Sequence, residues 1–140
     1  MRWAFFTSLI AAGCGTVDLG TPPADVNACR PSQAFFVDQV WPNFLNKDYG
    51  GKHCNQASCH DGTGTGGALN LRAPATPLTY PMDTEWQQVF QNAAFQMHCS
   101  TPQSSPLVEY PDGLLTHGGG MLISQTGPEI DLIVQWVSAP

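Results

Sequence analysis

Cys54-Asn55-Gln56-Ala57-Ser58-Cys59-His60 is the stretch on which the reading of this chain turns. Covalent haem attachment needs two thiols that add across the two vinyl groups of one porphyrin edge. It also needs a histidine directly after the second thiol, so that its imidazole swings under the iron. The common spacing leaves two residues between the cysteines; here four intervene, and the longer loop can bulge outward without moving either sulfur. On this reading Cys54 and Cys59 hold one haem c and His60 is its proximal iron ligand. Two plainer chemistries compete. A Cys54–Cys59 disulfide would explain the thiols and leave His60 accidental. A zinc site from Cys54, Cys59, His60 and a fourth ligand is disfavoured, because adjacent Cys and His rarely serve one tetrahedral ion and an oxidising compartment consumes thiols.

On the N-terminal side, Asp48-Tyr49-Gly50-Gly51 breaks any helix before the cysteines. Upstream, Ser32 can cap a helix whose apolar stripe runs through Phe35, Phe36 and Val40, and Phe44 belongs to it only if the helix survives Pro42, which should kink or end it. On the other side, the glycine-rich run 61–67 reads as a loop that lets backbone approach something flat. Ala68-Leu69-Asn70-Leu71 then alternates briefly. A second helix is expected from Asp83 or Thr84 to about Phe95, with Trp86, Val89, Phe90 and Ala93 on one face. The segment from Cys99 to Gly120 is turn-rich. A last helix is expected with Thr126 and Glu129 at capping-box spacing, Pro128 in the first turn and Ile130, Ile133, Val134 and Val137 along one face. The expected fold class is all-α: about three main helices around one cofactor, with long loops.

The 140 residues allow one small domain, and the 42% apolar fraction is ordinary for a folded globule. Fourteen glycines and twelve prolines imply few regular elements, the kind of fold that needs a staple or cofactor to complete its core. A net charge of −6 disfavours nucleic acid as a partner. Residues 1–13 carry one positive charge, at Arg2, then an apolar run too short to span a bilayer, then small residues before Cys14. This arrangement resembles a bacterial lipoprotein signal, which implies cleavage before a lipid-accepting Cys14. Gly15 after it, rather than Asp, favours the outer membrane by the same resemblance. Residues 14–30, with two consecutive prolines, read as a tether, and 31–140 as the domain. Localisation is expected on the periplasmic side of the cell envelope.

The order of features resembles a c-type cytochrome domain found in secreted and lipoprotein chains of planctomycetes, myxobacteria and their relatives. The matching pieces are Phe36 to Leu45, Cys54-x4-Cys59-His60, Gly66 to Leu71, Ser105-Pro106-Leu107, His117-Gly118-Gly119-Gly120 and Ile133-Val134-Gln135-Trp136-Val137. The resemblance extends over residues 31 to 140. Two departures are the four-residue cysteine gap and the absence of the Met-Pro pair that many relatives carry before the last helix. The distal iron ligand is therefore open between His117 and Met121, with Met97, His98 or an open face as further options. If Cys14 takes lipid and Cys54 and Cys59 take haem, Cys29 and Cys99 remain as a candidate disulfide by elimination. Phe36, Phe44, Trp86, Phe90 and Trp136 are expected in the core and against the cofactor.

The resemblance implies a single-electron carrier of the bacterial envelope, not an enzyme, that meets a redox partner protein through a transient interface. Two other classes stay open: a haem-based gas sensor or haem enzyme with an open distal face, and a haem-free, disulfide-stapled lipoprotein module.

Overall fold

The computed structural model describes residues 30–63 and 69–139. The expected signal, Cys14, Cys29 and all of the tether but Arg30 lie outside the described residues, as do residues 64–68, the second half of the glycine-rich run and Ala68. Among the described residues the structure is helical and contains no strand, so the brief alternation ending at Leu71 leads to irregular chain.

Ser32 starts the first helix. Its backbone is extended, and its hydroxyl accepts the Phe35 N–H at 3.3 Å. One α-helical turn, α1 (Gln33–Phe35), passes directly into a π-helix, Phe36–Leu45, that runs through Pro42 without ending there. Proline removes a donor and crowds the carbonyl one turn back; the wider i→i+5 turn moves those carbonyls off the ring. The turn closes with the Asn46 N–H on the Trp41 carbonyl at 2.8 Å. That wider period explains which residues are buried: Phe36, then Val40 and Trp41, then Phe44 and Leu45. Phe44 thus stays in the stripe, and Trp41, absent from the expected core, joins it.

α2 (Thr84–Ala94) follows its expected bounds closely. Asp83 caps it, its carboxylate accepting the Trp86 N–H at 2.9 Å and the Thr76 hydroxyl at 2.6 Å. The turn-rich segment contains a 3-10 turn (Pro102–Ser104) and a short α3 (Pro106–Glu109). Fully buried Ser105 joins them, and its hydroxyl accepts the His98 N–H at 2.9 Å.

α4 (Pro128–Ser138) begins one residue later than a capping box on Thr126 requires. Gly127 takes the cap position and Pro128 the first helical position, where its missing N–H costs nothing. Glu129 then stands second in the helix, too early to reach back to Thr126. Its carboxylate instead meets the Lys47 ammonium at 2.5 Å, pinning α4 to the end of the π-helix.

Five aromatic rings join the three long helices. Phe36 meets Phe90 edge-on at 5.3 Å and Trp136 at 5.7 Å; Phe90 meets Trp136 at 5.9 Å, and Trp41 meets Trp86 at 4.8 Å. Each such pair adds about 0.5–1.5 kcal/mol beyond simple burial. The Trp136 indole N–H also donates to the Ser32 carbonyl at 3.0 Å, so the last helix clasps the start of the first.

Phe36 is fully buried and meets rings from both of the other long helices, so its truncation should be costly. Phe36→Ala is expected to lower unfolding free energy by about 3–5 kcal/mol in a urea titration. Phe95→Ala, at a side chain 78% exposed, should change it by less than about 0.5 kcal/mol. Burial acts to raise the Glu129 carboxyl, but the Lys47 hydrogen bond, its own backbone N–H and the Lys47 charge outweigh burial, so it titrates below its ordinary 4.5. A carboxyl depressed by folding adds stability above its unfolded pKa and loses it as pH falls through the folded one. Unfolding curves of wild type and Glu129→Gln should therefore differ most at neutral pH and converge on acidification below about 4.5.

Candidate functional site

The cysteine loop closes on itself. The His53 N–H donates to the Gln56 side-chain oxygen at 2.9 Å, and the Gln56 carbonyl accepts the Cys59 N–H at 3.0 Å. The Cys54 carbonyl accepts the His60 N–H at 3.1 Å, so the two ends of the motif are bonded to each other. The extra residues are taken up at the tip, where Ala57 and Ser58 are exposed. Ser58 has φ +71°, the one non-glycine among the described residues in the left-handed region.

Both thiols are free and half-buried, so Cys54 and Cys59 are not joined in a disulfide. Burial first, and then the neighbouring Cys59, push the Cys54 thiol up to about 11. It stays protonated at neutral pH, away from the thiolate form that oxidises. The Tyr49 hydroxyl donates to the Phe44 carbonyl at 3.0 Å behind this wall, and burial, Cys54 and Glu129 all push its phenol upward.

His60 is held by the segment that follows the glycine-rich run. Its Nδ1–H donates to the Leu69 carbonyl at 3.0 Å, and its own carbonyl accepts the Leu71 N–H at 2.5 Å. Leu71 is fully buried in the core, which makes this an anchored position. His117 comes from the loop before α4. Its Nδ1–H donates to the Gly120 carbonyl at 3.1 Å, and the Gly120 N–H returns to the His117 carbonyl at 2.9 Å.

The loops enclose a cavity of about 600 Å³. Cys54, Cys59 and His60 line it together with His117, and Phe44 and Leu107 supply apolar wall. The His60 and His117 rings are nearly parallel, 9° apart, with centroids separated by 6.1 Å. Among the described residues no three His, Cys, Asp or Glu side chains gather as a protein-only metal site would require. The zinc alternative thus lacks a ligand set there.

The structure brings the three motif residues and His117 to one cavity, and does not bring the other distal candidates there. Met121 is 71% exposed and lines a shallow surface depression with Leu122 to Gln125. Met97 is buried in the core and His98 is exposed. Cys99 is disulfide-bonded, and its expected partner Cys29 lies outside the described residues. Sequence reasoning missed Lys52, whose ammonium donates to the Gly119 carbonyl at 2.9 Å, and Tyr110, whose ring stands 6.4 Å from that of His117. Neither has a sequence signal, because each matters only through a neighbour more than five residues away in the chain. No protein family, curated protein or solved structure was found to match this chain.

Proposed function

We propose that this chain is a c-type cytochrome that carries single electrons in the bacterial cell envelope through one haem c attached at Cys54 and Cys59, with His60 as proximal ligand. The observation that carries the reading is one cavity wall on which two unbonded thiols and an adjacent, backbone-anchored imidazole stand together. The chain's residues fit such a group. The hollow lies within the 300–1,000 Å³ usual for cofactor sites, and its donors are the two thiols and imidazoles that haem c uses. When bound, haem supplies an iron that cycles between ferric and ferrous states while the protein sets its potential.

Each residue has a separate task in this reading. Cys54 and Cys59 offer reduced thiols, and burial keeps Cys54 in the protonated form. The bond from the Leu69 carbonyl fixes the His60 tautomer and leaves coordination to Nε2, the arrangement that orients metal-binding histidines. Phe44 and Leu107 keep water from one side of the hollow. Attachment of the mature domain to the membrane through a lipid on Cys14, a tether over 14–30 and a Cys29–Cys99 disulfide belong to the same proposal. Among the described residues no helix is long and apolar enough to cross a membrane. The electron donor and acceptor are proposed to be redox proteins met transiently, and nucleic acid is not among the proposed partners.

A haem stain after denaturing electrophoresis, on the full chain matured in a bacterium with haem c machinery, tests the attachment. Wild type should stain and the Cys54→Ala, Cys59→Ala double variant should not; stain retained by the double variant overturns the assignment. Either single variant should keep one thioether and leave one vinyl group in conjugation with the ring. The optical α band of the reduced protein is then expected to move to longer wavelength in each.

A further inference from the structure

Resting on the cytochrome reading, we propose that His117, and not Met121, is the second axial ligand, held as the near-parallel partner of His60 by the Gly118–Gly120 loop and Lys52.

The separation of the two ring centroids matches that of two imidazoles sharing one ion through in-plane nitrogens. Two metal–imidazole bonds of about 2 Å each, with half a ring at either end, span roughly 6 Å, against 6.1 Å observed between centroids. Both imidazoles are also prepared in the same way. Each gives its Nδ1–H to a backbone carbonyl, Leu69 for one and Gly120 for the other, so on each ring Nε2 is the coordinating nitrogen. His117 lines the cavity, whereas Met121 is 71% exposed beyond the turn at Gly120.

The loop that carries His117 is shaped for it. A Cβ on Gly119 would stand 3.1 Å from the His117 Cε1, so a side chain there makes the ring give by a few tenths of an ångström. Gly120, at φ +76°, turns the chain so that its carbonyl faces the His117 ring. Lys52, two residues before Cys54, bonds the Gly119 carbonyl at 2.9 Å and so ties the attachment loop to the ligand loop. Lys52 and Gly119 are positioning residues, acting through His117.

Two consequences follow from the geometry. A second imidazole in place of a thioether lowers the reduction potential and closes the face that a gas ligand would use. An iron held by imidazole planes only 9° apart would have both π systems directed at the same member of its two π-type d orbitals. The pair would then be split widely and give a rhombic low-spin ferric spectrum, whereas perpendicular planes would leave it nearly degenerate.

The test uses full-length matured protein. Wild-type ferric protein is expected to show the near-infrared magnetic circular dichroism band of bis-imidazole ligation, rhombic low-spin electron paramagnetic resonance and no sulfur-to-iron charge-transfer band. Met121→Ala should leave both spectra and the midpoint potential unchanged. His117→Gly should bind carbon monoxide when reduced, and free imidazole should restore its six-coordinate spectrum, a rescue that a merely misfolded variant would not give. Gly119→Ala should keep its haem stain and shift the rhombic splitting as the His117 ring gives by a few tenths of an ångström. A sulfur-to-iron band in wild type that disappears in Met121→Ala, or carbon monoxide binding by reduced wild type, overturns this ligation and leaves the cytochrome reading standing. Absence of covalent haem from wild type overturns both.

Discussion

The carbonyls of Leu69 and Gly120 each accept the Nδ1–H of one histidine, and the placement of the rest of the site depends on those two bonds. An imidazole on a loop ordinarily rotates about two torsions. A carbonyl bond on one ring nitrogen fixes both the tautomer and the direction in which the other nitrogen points. The two acceptors come from parts of the chain separated by α2, the 3-10 turn and α3. The rings can come within 6.1 Å of each other only when the core has brought those parts together.

The aromatic cluster does that work. Phe36, Phe90 and Trp136 meet from three different helices, while Trp41 and Trp86 lock the first pair from the side. Lys47 and Glu129 hold the end of the π-helix to the start of α4, close to Tyr49 and the cysteine wall. Phe44 then serves two regions at once, buried in the stripe of the π-helix and lining the cavity. A chain this rich in glycine and proline makes few regular elements, so each long helix must contribute rings to the centre and wall to the hollow. In the proposed cytochrome, this is also how the loops around the cofactor inherit rigidity from the core.

The π-helix marks where local rules gave way. Pro42 should end or kink an α-helix, and an α-helical count places Trp41 outside the stripe. Widening the turn lets Pro42 remain and brings Trp41 inward against Trp86. The preference is tertiary: at the wider period Phe36, Val40, Trp41, Phe44 and Leu45 gather on a narrower face that the core can cover. Similarly, Thr126 and Glu129 have the spacing of a capping box, but Pro128 at the first helical position and Lys47 across the fold draw Glu129 elsewhere.

By itself the sequence determined which residues stand together on one wall and which segments form the long helices. Cys54, Cys59 and His60 are adjacent in the chain, and Asp83 and Ser32 cap through neighbours three residues on, so short-range geometry suffices to read them. It also put Phe36, Phe44, Trp86, Phe90 and Trp136 inside, because periodic apolar residues must be covered by something. Only the tertiary structure decided between His117 and Met121 as the residue facing His60. They lie four positions apart on one glycine-rich loop, where no periodicity applies, and the choice rests on backbone acceptors and on Lys52, distant in the chain. Contacts between distant segments leave no local pattern, and for that reason the chain alone named both His117 and Met121 but could not choose between them.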